Sequence, residues 1–81
     1  MSNILKIKDE INDEEFINIT RIVEREIYID LKEKDFLTTK EIKMLNMLTN
    51  IGKIVNLLNA NNKIEKLLKY LNYQGIYFIN N

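Results

Sequence analysis

The sequence predicts a mainly α-helical fold, a small three- to four-helix domain with one or two short β-strands. Two helix-start signals carry this expectation, "NDEE" at 12–15 and "TTKE" at 38–41. The third observation is apolar spacing of three and four residues over most of the chain, with no proline and only two glycines to interrupt it.

Taken in order, "NILKIK" alternates weakly and reads as a short N-terminal strand. At "INDEEF", Asn12 can cap a helix, Glu15 sits at its third position, and Ile11 can staple against Phe16. Asp13, Glu14 and Glu15 lie where the helix dipole favours negative charge. Phe16, Ile19, Val23 and Ile27 then follow on one helical face. The stretch "EIYIDLK" satisfies both grammars. Ile27, Ile29 and Leu31 alternate as in a strand, yet Ile27 and Leu31 also continue the helical face, whose reading ends near residue 32.

Thr38 and Glu41 form a capping box, with Leu37 and Ile42 placed as its staple. Met44, Met47, Leu48, Ile51, Val55 and Leu58 mark one face beyond it. Gly52 interrupts that face at about 1 kcal/mol relative to Ala. Residues 39–59 therefore read as one helix, or as two that divide near "TNIGK". The asparagines of "NANN" stop it. Ile64, Leu67, Leu68 and Leu71 make a last helix with Glu65 four residues before Lys69, and "IYFI" after Gly75 is a terminal strand. Those faces gather the expected core: Phe16, Ile19, Val23, Ile27, Leu48, Ile51, Val55, Leu58, Ile64, Leu67, Leu68, Leu71 and Phe78.

At 81 residues the chain reads as a single domain. So small a domain has a marginal core, and a homodimer is the common remedy. Neither Cys nor His is present, which removes disulfides, the usual zinc ligands and an imidazole base. No metal, cofactor or catalytic site is expected, and the protein reads as no enzyme. "Gly52-Lys53-Ile54" lacks the P-loop pattern, and the window Asp30–Glu41 has Lys32 and Lys34 at calcium-ligand positions. No run is long and apolar enough to cross a bilayer, and "MSNILKIKDE" has no secretory core, so a cytoplasmic location is expected. The bias to Ile, Asn and Lys is that of an AT-rich coding sequence, as in a phage, a plasmid or a low-GC bacterium.

Net charge is zero, but the halves differ. Residues 1–37 hold six basic against ten acidic side chains, a balance of −4; residues 38–81 hold six against two, a balance of +4. Such a division marks a polyanion-facing half beside an acidic half, or simply two solvated faces.

From Leu37, "LTTKEIKMLNMLTNIGKIVNLLNANNKIEKLLKYLNYQGIYFINN" resembles the winged helix-turn-helix superfamily. Its pieces would be an opening helix at 38–49, a short helix at 53–59, a turn at 60–62, a recognition helix at 62–72 and a wing strand at 75–80. The resemblance implies a small DNA-binding regulator with Asn61, Asn62, Lys63, Lys66 and Lys69 on the reading face and Lys53 and Tyr77 touching backbone. Asn suits adenine and Lys suits phosphate, so A·T-rich double-stranded DNA would be the target. The alternative is a helical protein–protein interaction module, such as an inhibitor, antitoxin or adaptor. In that reading the acidic "DEINDEE" run meets a basic partner. Met44 and Met47 would suit an adaptable groove, although Met on a core face is more often filler.

Overall fold

The computed structural model describes residues 4–79. Its elements alternate: β1 (Ile4–Lys6), α1 (Asp13–Thr20), β2 (Glu26–Asp30), α2 (Thr39–Asn50), β3 (Ile54–Leu58), α3 (Asn62–Leu71) and β4 (Ile76–Ile79). The four strands form one sheet in sequence order, and every neighbouring pair is parallel. Each helix is thus a crossover between adjacent parallel strands. Such crossovers are right-handed, which places all three helices on the same face of the sheet.

That face is the core side. Leu5, Ile29, Leu57 and Phe78 stand in register across the strands, with Ile27, Val55 and Ile76 in the parallel row. Ile29, Val55 and Leu57 are completely buried. Ile19 from α1, Met44, Leu45 and Leu48 from α2, and Ile64 and Leu68 from α3 pack onto them. The other face carries the row Ile4, Tyr28, Asn56 and Tyr77 and has no helix over it.

The mainly α, winged-helix-like expectation is overturned: the protein is an α/β fold and not a helical bundle. The helix from Asn12 ends at Thr20, and 26–30 follows the strand grammar of its sequence, with Ile27 and Ile29 inward. Val23, expected in the core, is 93% exposed in the intervening loop. The helix from Thr38 ends at Asn50, and the stretch 53–59 expected as a second helix holds strand β3 (Ile54–Leu58) instead. Gly52 at φ +92° and Asn59 at φ +58° bracket this strand, and neither conformation fits a helix interior. "IVNLL" is a short apolar run between turn residues, as a buried parallel strand requires. Its apolar positions also fell at helical spacing, which concealed it. Ile51 and Leu67 are exposed as well, at 57% and 38%. Strand β4 pairs parallel with β3 instead of opening a wing.

Other local signals hold. Asn12 caps α1 by accepting from Glu15 N at 2.8 Å. The Thr38–Glu41 box is complete, with Leu37 buried and Ile42 packed against the core. Helix α3 spans nearly the residues expected, and "ILK" and "IYFI" are strands; residues 3 and 80 of the expected strands lie outside the described residues. Gly75 has φ +83°, and a Cβ there would meet Thr49 Cγ2 at 3.3 Å.

The buried-strand assignment separates two substitutions that the helical reading makes equivalent. Leu57→Ala is expected to cost about 2–5 kcal/mol, whereas Val23→Ala should stay within about 0.5 kcal/mol. Urea unfolding of both variants checks this.

Candidate functional site

Because α1 and α2 connect successive adjacent strands, they lie side by side and run in the same direction. The seam between them opens into a groove of about 330 Å³. Its floor is apolar: Ile11 and Met44 are buried, Phe16 is partly buried, and Met47 stands half exposed at 50%. Asp13 Oδ1 and Lys40 Nζ meet at 2.8 Å, tying the first turns of the two helices together at the groove. The Lys40 ammonium, by hydrogen bond and by charge, holds the Asp13 carboxyl below the ordinary carboxylate value. Conversely, the hydrogen bond to Asp13, with the charges of Asp13 and Glu10, raises Lys40.

Glu41 also lines the groove but is only 1% exposed. Its Oε1 accepts from Thr38 N at 2.9 Å, and its Oε2 lies 3.0 Å from Lys34 Nζ, itself 8% exposed. The second contact is an ion pair and not an aligned hydrogen bond. Glu41 thus does two tasks, completing the capping box and neutralising a lysine drawn into the interior from the β2–α2 loop.

At the carboxyl ends of β1 and β2, a second depression of about 200 Å³ gathers Lys6, Asp30, Lys32 and Glu33. Asp30 Oδ1 accepts from Lys32 N at 2.9 Å and from Asn59 Nδ2 at 3.1 Å. These bonds, the Lys32 amide first and then Asn59, lower its pKa below the ordinary 3.8. In open parallel sheets ligands bind where the strand order reverses. This sheet runs β1-β2-β3-β4 without a reversal, so no such crevice forms.

Of the residues expected to read DNA, Asn61, Asn62, Lys63, Lys66 and Lys69 lie on α3 and its cap, whereas Lys53 and Tyr77 lie elsewhere. Asn61, Asn62 and Lys63 share a shallow depression with Asp35 at the start of α3. Asn61, however, is the helix cap: Oδ1 accepts from Ile64 N at 2.9 Å while Nδ2 donates to the Lys34 and Asp35 carbonyls at 3.2 and 2.9 Å. Lys66 is exposed further along α3, and Lys69 pairs with Glu65 at 2.9 Å and lies over the Phe78 ring. Lys53 sits at the opposite end of the sheet, where Nζ donates to the Ile22 and Glu24 carbonyls and closes the α1–β2 loop. Tyr77 occupies the sheet face away from the helices.

Sequence reasoning noticed Met44 and Met47 but put both on one buried face. The available signal was phase: Met44, Leu45 and Leu48 form the inward set of α2, and Met47 falls outside it. Among the described residues no helix is long and apolar enough to cross a membrane, and no cluster of three metal-ligating side chains occurs. No protein-family model and no curated protein matches this chain.

Two variants test the roles of the carboxylates. Glu41→Gln keeps an acceptor for Thr38 N but leaves Lys34 buried without its counter-charge, so chemical denaturation should show a loss of about 3 kcal/mol. Adding Lys34→Met should recover most of it. For Asp30, the folded pKa lies below the unfolded one, so its stabilisation is complete above about pH 3.8 and disappears as pH falls through the folded value. Asp30→Asn should therefore be less stable than wild type at neutral pH, with a difference that shrinks in thermal melts taken below pH 4.

Proposed function

We propose that this protein is a non-catalytic protein-interaction module that receives an apolar segment of a partner protein in the α1–α2 groove. The observation that carries this reading is the open apolar seam around Phe16, Met44 and the half-exposed Met47. Methionine at such a place adapts its thioether to different contacts, and single apolar grooves on helical surfaces commonly seat helices.

The polar groups around the groove argue against a small-molecule substrate. A ligand pocket aims a few free polar groups at its occupant. Here Asp13 is paired with Lys40, and Glu41 with Lys34 and Thr38 N. Asp30, the other carboxylate with shaped surroundings, is held by Lys32 N and Asn59. Each of these carboxylates is engaged within the protein, which leaves none of the three placed as an acid, base or nucleophile. Lys43 is the groove's charged residue without an ion-pair partner among the described residues. The DNA-reading alternative is less favoured, since the α/β fold offers no helix-turn-helix and two of its members, Asn61 and Lys53, bond backbone carbonyls.

Selection of a random phage-displayed peptide library on the immobilised protein tests the reading. Peptides with two or three large apolar residues should enrich, and Met47→Lys should weaken them at least about tenfold while leaving the melting temperature nearly unchanged. No enrichment, or peptides indifferent to Met47→Lys, would overturn it. Salt-sensitive binding of A·T-rich duplexes, lost when Lys63, Lys66 and Lys69 become Ala, would move the function to α3.

A further inference from the structure

Resting on that reading, we infer that the partner segment is an acidic amphipathic helix, one of whose carboxylates takes Lys40 over from Asp13.

The shape of the apolar surface gives the helix. Lys40, Met44, Met47 and Ile51 follow one another at four, three and four residues, a single stripe along α2. Met47 and Ile51 are 50% and 57% exposed. On α1, Ile17 follows Asp13 by one turn and is 47% exposed. Since Asp13 and Lys40 join the two helices at their first turns, these apolar residues prolong the seam in the same direction. A strip bounded by two parallel helices accepts a third helix through anchors at i, i+3 or i+4, and i+7.

Charge complementarity gives the acid. The α2 wall presents Lys40 and Lys43, and Lys43 has no ion-pair partner among the described residues. Glu41, the carboxylate of that wall, is already neutralised by Lys34 and sealed from solvent. The α1 side lines the groove with Asp13 alone among its charged residues. An incoming carboxylate therefore meets two lysines, one of them uncommitted, with Asp13 and the nearby Glu10 as the opposing charges, whereas an incoming lysine meets two like charges and an aspartate already in use. Like charges brought together across an interface exclude the wrong partner.

The strap makes the exchange easy. Asp13 and Lys40 are exposed, at 85% and 48% of their side chains, and pairs of that kind are weak and readily traded. Losing Asp13 as a partner costs the free protein little, and the arriving carboxylate finds Lys40 held in position at the groove. Asp13 acts as a placeholder for the ligand's acid.

The test uses the full chain and the peptides recovered by display, resynthesised with each Asp or Glu changed to its amide. Fluorescence polarisation should show that neutralisation weakens binding roughly tenfold, and that Lys43→Ala weakens it in parallel. Asp13→Asn should do the opposite, tightening binding about two- to fivefold, because Lys40 is then free before the ligand arrives. A merely structural Asp13 would instead weaken binding when replaced. Recovered peptides that are basic or uncharged, or an Asp13→Asn that weakens them, would overturn the inference while leaving the groove reading intact. Failure to recover any Met47-dependent peptide would sink both. Sedimentation velocity of the protein alone decides whether a second copy is the occupant: a dimer dispersed by Met47→Lys would also overturn the acidic-helix assignment.

Discussion

Parallel strands cannot be joined by a tight turn; the chain must cross back over the sheet between them, and here every crossover leads to the next strand. Right-handedness then admits only one side for all three helices. From this follow a core one layer deep, made by Ile29, Leu57 and their row meeting Leu48, Ile64 and Leu68, and an opposite face without a helix, on which Asn56 is covered by its neighbours. The same constraint lays α1, α2 and α3 side by side in one direction. Parallel neighbours place their first turns together, which is why Asp13 and Lys40 meet and why a seam runs between the helices at all. The groove is a consequence of the topology before it is a matter of particular side chains.

A fold of this kind leaves its loops at the two ends of the sheet, and the chain closes both ends with polar side chains. At the carboxyl end Asn61 bonds the Lys34 and Asp35 carbonyls while capping α3, and Asn59 bonds Asp30. At the amino end Lys53 bonds the carbonyls of Ile22 and Glu24. Each contact ties one βα unit to its neighbour, so the units are joined by more than the strand ladder. The Lys34–Glu41 pair does the same inside the second unit. A buried ion pair adds little net stability beside an apolar replacement, but breaking it is costly, and here it fixes the entry of α2 and with it the wall of the groove.

How much of this was legible depends on how local each signal was. The caps at Asn12 and Thr38 involve residues three apart, and both were readable from the sequence because the chemistry that makes them is contained in four residues. Strands β2 and β3 were not secured, because a parallel strand is defined by partners some 20 to 30 residues away and its apolar run can fall on helical spacing by chance. The two left-handed residues Gly52 and Asn59 are the local sign that 54–58 is no helix, and reading Gly52 as a costly helical residue or as a break between two helices misses it. The site suffered in the same way. The sequence does not show that Asn61 and Lys53 bond the fold, because an exposed polar residue and a loop-closing one look alike in sequence. The distinction lies in carbonyls 26 to 31 positions away.

The charge asymmetry between the two halves of the chain has a spatial meaning in this fold. The boundary near residue 37 falls between α1 and α2, so the acidic half supplies one wall of the groove and the basic half the other. Asp13 stands on the first, Lys40 and Lys43 on the second. A net charge of zero therefore coexists with unlike charge on the two sides of the seam. Part of the remaining positive charge, on Lys63, Lys66 and Lys69, lies along α3, one helix removed from the groove, and Lys69 is already matched by Glu65. What the sequence presents as two unlike halves, the sheet brings together as two unlike sides of one groove, and a ligand able to distinguish those sides has its orientation set by them.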